Sequence, residues 1–173
     1  MPRILAAIAF LSASLASIAQ AAPNTREDAA QELVDAGLKK AKADGKAVFV
    51  TFGATGEMWS EHLEKFNKRP AVKKILDKHL VFVKVDLADT AGAGDLYLKY
   101  AKDENAGVPF WVILAPDGKV LADAFDGNKM NVGFPNEEDE LKHYKKAIKK
   151  AIPKLTDAEV DTLMTELKAE GSK

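Results

Sequence analysis

No residue of this 173-residue chain is cysteine, which excludes disulfide exchange, thiolate nucleophiles and sulfur ligation of metals. Histidine is scarce as well, with three copies, and neither His79 nor His143 stands in a recognisable ligand spacing. Charge of one sign is also lacking, since 25 Lys and Arg face 26 Asp and Glu. That near-balance argues against a dedicated nucleic-acid binder, which carries a strong basic excess. The fold must be held by packing alone. There is no internal repeat and no low-complexity segment, and no cofactor is expected.

The longest apolar stretch lies at the N-terminus. Arg3 precedes Ile4 to Ile18, a run rich in Ala, Leu and Ile, and Ala19-Gln20-Ala21 supplies a small-x-small cleavage pattern. Ser12, Ser14 and Ser17 interrupt the run, which is shorter than the ~20 residues of a membrane span. The expectation is a secretory signal over residues 1–21, with an exported product that keeps no membrane anchor. In a Gram-negative bacterium that product would be periplasmic. Removing residues 1–21 takes away one charged group, Arg3, and leaves a length suited to one domain with a sizeable core.

Along the remainder, Asn24 or Thr25 is a candidate helix cap, with Glu27 or Asp28 completing a capping box, and Ala30, Leu33, Val34, Leu38 and Ala41 follow helical spacing. Val48 to Phe52 is apolar at nearly every position, as in a strand covered on both faces. A helix is predicted from about Trp59 to Asn67, and a second from Ala71 to Lys78 with Pro70 in its first turn. Leu80 to Asp86 reads as another buried strand, followed by a helix carrying Leu96, Tyr97 and Tyr100. A strand from Pro109 to Leu114 turns through Pro116-Asp117-Gly118-Lys119 into Val120 to Phe125. Asp126 to Pro135 is a loop whose three apolar residues are expected to be exposed. Helices follow over Glu137 to Ile152 and, after Pro153, behind a Thr156/Glu159 capping box. The last carries a seam of Val160, Leu163, Met164 and Leu167.

Two segments carry the functional expectation. Lys46 to Ser60 is a buried strand, a loop and a helix start ending in Glu57-Met58-Trp59-Ser60, and Gly107-Val108-Pro109-Phe110 opens a second buried strand with a proline. Together with the element order, this pair resembles the thioredoxin-like superfamily, over roughly Lys46 to Phe125. The resemblance implies an α/β, thioredoxin-like three-layer sandwich, a central mixed sheet flanked by helices, with an extra C-terminal helix. Its expected limits are residues 22–152, with 153–173 as a helical extension. The nearest likeness is to exported members with Cys-x-Trp-Cys, where Glu57, Met58, Trp59 and Ser60 stand at the four motif positions. The oxidoreductase activity does not carry over, because both cysteines are gone. The resemblance further implies a cis bond before Pro109, and a residue before it, here Val108, that pairs its backbone with an extended peptide. With Trp59 and Met58 as an apolar wall, that groove would capture a polypeptide by β-augmentation.

Each residue also has a plainer reading. Glu57 and Ser60 can simply cap and solubilise a helix start. Glu57 can alternatively be a general acid or base of a non-thiol enzyme, with Ser60 or a metal shared with Glu61. Ser60 and His62 are two apart on a helix and face different sides, which opposes a dyad. Trp59 either packs on the core or forms an exposed platform, and the plainer reading of Pro109 is that it serves the fold alone. The expected partner is an extended polypeptide or a protein docking across Trp59, Val108 and Pro109, with the Phe134-Pro135 loop as a second surface. The seam on the last helix leaves open a role as a structural subunit of an oligomer.

Overall fold

The computed structural model describes residues 28–172; the expected signal segment and the candidate caps Asn24 and Thr25 lie outside them. The elements run α1 (Ala29–Asp44), β1 (Ala47–Gly53), α2 (Met58–Lys68), α3 (Pro70–Leu76), β2 (Leu80–Asp86), α4 (Ala93–Ala101), β3 (Phe110–Leu114), β4 (Val120–Asp123), α5 (Glu138–Ala151) and α6 (Asp157–Gly171). The sheet has the order β2-β1-β3-β4. β1 pairs with β2 in parallel and with β3 antiparallel, and β3 pairs antiparallel with β4. This is the mixed sheet flanked by helices that the resemblance implies.

The central strands are apolar at consecutive positions because both faces are covered. Val48, Phe49, Val50 and Phe52 of β1 and all of β3 are buried. On one face, Tyr97 of α4 meets Phe52 and Phe110 edge-on, and Gly37 of α1 lies so close to Val83 that a Cβ would come within 2.5 Å of it. On the other face, Trp111 meets Tyr144 of α5 edge-on at 5.6 Å, and Tyr144 meets Phe66 of α2 at 6.1 Å. Aromatic side chains therefore thread the three layers together.

Several expectations are corrected. The residue preceding α1 is Asp28, and its side chain makes no capping bond. The hairpin strand stops at Asp123, and Phe125 instead bridges to Asn131. Of the three apolar residues in the 126–135 loop, Met130 is exposed, whereas Val132 and Phe134 are buried. The reason is Trp111, whose indole Nε1 donates to the Gly133 carbonyl at 2.9 Å and draws the loop inward. The seam of α6 is consumed inside the chain: Val160, Leu163 and Leu167 are fully buried, and α6 packs against α2, α3 and α5. A helix buried this way does not offer the same stripe to a second copy. The Thr156/Glu159 capping box forms as read, with Thr156 Oγ1 accepting from the Glu159 amide.

Candidate functional site

β1 ends at Gly53, and the Ala54 to Glu57 loop leads directly into α2, so the residues at the four motif positions sit at a helix N-terminus. That end of a helix presents unpaired amides and partial positive charge. Glu57 answers both. Its Oε1 accepts from the Trp59 amide at 3.0 Å and its Oε2 from the Ser60 amide at 2.6 Å. Partial burial pushes its pKa up, but the Ser60 hydroxyl, the two amides and nearby His62 outweigh burial and hold it below the ordinary glutamate value. A carboxylate kept ionised with both oxygens engaged is a helix cap, and it is poorly suited to donate a proton as a general acid.

Ser60 points inward. Its Oγ is buried without a hydrogen-bond partner of normal geometry, although it lies near enough to Glu57 to influence that carboxylate. The approach to β1 is tight, since a Cβ on Gly53 would fall 2.7 Å from Ser60 Oγ. Met58 and Trp59 point outward, 56% and 37% exposed. Trp59 takes part of both roles open to it. One face stacks on Phe134, with centroids 6.0 Å apart and planes 14° apart, and the remainder faces solvent. His62 completes an aromatic corner, 5.6 Å from Trp59 and 5.5 Å from Phe134.

His62 pairs with a residue that sequence reasoning did not single out. Its Nδ1 lies 3.3 Å from Glu170 Oε1, and Arg69 donates to Glu170 Oε2 at 2.9 Å and also bonds Glu166. Glu170 is 2% exposed. This cluster fixes α6 against α2 and the Arg69 corner. No sequence spacing announces it, because the partners are about a hundred residues apart.

Across from Trp59, the Val108–Pro109 bond is cis. Pro109 is buried and Val108 half-buried. A second overlooked residue, Asn131, holds this turn: its Nδ2 donates to the carbonyls of Gly107 and Pro109, each at 3.1 Å. Tyr97 also donates to the Gly107 carbonyl, at 3.2 Å. Val108, between those two carbonyls, makes no hydrogen bond through its own amide or carbonyl among the described residues. Trp59, Val108, Pro109, Gly133 and Phe134 line one cleft of about 380 Å³, with Glu137 and Glu140 at its far rim. The structure thus brings Trp59, Val108 and Pro109 together, leaves Met58 at the outer edge, and turns Ser60 away. Phe134 is a wall of this same cleft rather than a separate surface. Among the described residues, no cluster of three or more His, Asp or Glu side chains is arranged to hold a metal ion.

A family model described as Thioredox_DsbH, protein of unknown function, DUF255, matches residues 25–168. Among solved structures, the disulphide isomerase of Xylella fastidiosa Temecula1 is similar over 85% of this chain and 97% of that one, at 20% identity and a TM-score of 0.52. A structure described as DsbH Oxidoreductase aligns over 82% of this chain and 96% of its own, at 20% identity and a TM-score of 0.49. At that level of identity the first likeness speaks for the fold alone. No curated protein sequence matches the chain.

Proposed function

The chain belongs to the Thioredox_DsbH family, DUF255, and from that premise we propose that it is an exported, redox-inactive, thioredoxin-like protein that holds an extended polypeptide. The occupant is an unfolded segment or a strand of a partner protein, laid between Trp59 and the Val108–Pro109 turn. The single observation supporting this reading is Val108. Its amide and carbonyl are unengaged among the described residues, while the carbonyls on either side are tied down by Asn131. A free donor and acceptor on one half-buried residue match what an added strand requires. The exposed part of Trp59 supplies apolar contact at low entropic cost.

The composition supports redox inactivity, since the chain holds no thiol for disulfide exchange. Export rests on the leader-like residues 1–21.

The test is a fluorescence-anisotropy screen of extended peptides against the purified protein, with backbone N-methylated copies of each binder. Binding that falls about tenfold on methylating one peptide nitrogen, and again with Trp59→Ala combined with Val108→Glu, supports capture by backbone pairing. Equal binding of methylated peptides, or unchanged binding by the double variant, overturns it.

A further inference from the structure

The peptide groove is walled by the rings of Trp59 and Phe134 and rimmed by the carboxylates of Glu137 and Glu140. No lysine, arginine or histidine is among its lining residues. Lys102 and Lys129 flank lining segments in the chain, but neither lines the cleft. The groove therefore joins an apolar wall to a rim of uncompensated negative charge.

That rim is fixed in place. Glu137 precedes α5 and Glu140 lies in its first turn, and the two form a capping box. Glu140 Oε2 accepts from the amides of Asn136 at 2.9 Å and Glu137 at 3.0 Å. Its Oε1 takes no hydrogen bond among the described residues. An ionised carboxylate offers about four acceptor sites, so capping leaves room for a further donor. Neither Glu137 nor Glu140 makes an ion pair among the described residues. Glu138 and Asp139, between them in the chain, both pair with Lys142. The acids that face the cleft are thus the ones left without a cation.

We infer that the polypeptide segment held in this groove carries a lysine or arginine, its charged head at Glu137 and Glu140 and its methylene stem along the aromatic wall. The inference rests on the peptide-capture reading and adds the class of sequence selected. Backbone pairing at Val108 would be blind to side chains, so selection has to come from what lines the cleft beside it. A basic side chain matches both halves of that lining, because it couples an apolar stem to a cation. The exposed part of Trp59 adds attraction for the same charge. An acidic side chain at this place would meet two carboxylates and be rejected.

The test uses the full chain and an acetylated, amidated host peptide of alternating Ser and Val, labelled with an uncharged dye. Lys, norleucine or Glu is placed at one position at a time, and blocking both ends removes the terminal amine as a rival cation. Anisotropy at low salt should single out a position where Lys binds about threefold to fivefold tighter than norleucine, and Glu more weakly than either. Salt at about 0.5 M should remove most of that advantage. Glu137→Gln with Glu140→Gln keeps an acceptor oxygen for the cap and should bring the Lys-to-norleucine ratio close to one. Glu137→Gln alone, which leaves the Glu140 cap intact, should lower the ratio partway; circular dichroism checks that each variant is folded. Norleucine peptides that bind, and weaken on backbone methylation, while Lys gives no advantage anywhere overturn this inference and leave peptide capture standing. An equal gain from Lys at every position also overturns it, since that is attraction by net charge alone. A Lys advantage that persists in the double variant does the same. Binding by no peptide of the set overturns both readings together.

Discussion

The indole of Trp59 lies nearly parallel to the ring of Phe134, 6.0 Å between centroids, so a residue near the start of α2 is braced by a loop seventy-five residues later. The two partners differ in burial, 37% exposed against 4%, and this separates stability from binding. Phe134→Ala removes a buried ring and should cost about 3 kcal/mol or more in urea unfolding. Trp59→Ala should cost clearly less stability yet remove most of the peptide affinity. Equal losses of stability for the two variants would show that Trp59 is an ordinary core residue.

Asn131 is expected to control the shape of the turn that carries Val108. Its amide serves two carbonyls, and Pro109 is buried. Asn131→Ala leaves those acceptors unmet at a cost of about 1–2 kcal/mol. Asn131→Asp should be worse than alanine, because it aims a carboxylate at two carbonyl oxygens. Thermal melts should give the stability order Asn131 > Ala > Asp at neutral pH, and lowered NMR order parameters for the Gly107–Pro109 turn should accompany both changes. An aspartate variant more stable than the alanine one would refute this role.

Glu57 gives the helix start a pH dependence of defined sign. Its folded pKa is depressed, so the ionised form is favoured in the native state. Its contribution is full above the ordinary value of 4.5 and is lost as pH falls from there through the lower folded value. Glu57→Ala should cost about 1 kcal/mol at neutral pH, the usual worth of a good cap. The gap between wild type and variant should narrow as the solution is acidified below 4.5. Parallel stability curves over that interval would mean the carboxylate gives no net support.

The frame was legible because burial writes itself into sequence. β1 and β3, covered on both faces, are apolar at successive positions, and β2 was read at its observed limits, Leu80 to Asp86. Capping residues within one helical turn were legible too, as at Thr156 and Glu159. Long-range pairings were not. Nothing in the order of residues shows that Trp111 will pull Gly133 inward and bury Phe134, or that Glu170 will meet His62. The same limit hid Asn131: an asparagine in a loop looks like any turn residue until the turn it braces is in place. The α6 seam could be read as apolar, but its occupant is decided by tertiary packing.

The loss of thiols should be reversible in this scaffold. Glu57 occupies a helix N-terminus whose amides and dipole would equally favour a thiolate. Ser60 lies one turn further on and points inward against Gly53, leaving it little access to solvent. In the double variant Glu57→Cys with Ser60→Cys, the first thiol would be accessible and acidic, and the second positioned to resolve a mixed disulfide. Reduced by a small dithiol, the variant should attack an insulin disulfide, form a mixed disulfide and close its own ring, releasing the insulin thiols. Wild type should not exceed the uncatalysed rate, and Glu57→Cys alone should stall as a mixed disulfide with substrate. The second cysteine is bulkier than serine against Gly53, where a single added Cβ would already meet Ser60 Oγ at 2.7 Å, so some stability should be lost on reduction and regained on oxidation. A double variant that folds, carries two free thiols by titration and still leaves insulin untouched would show that more than the sulfur atoms has been lost.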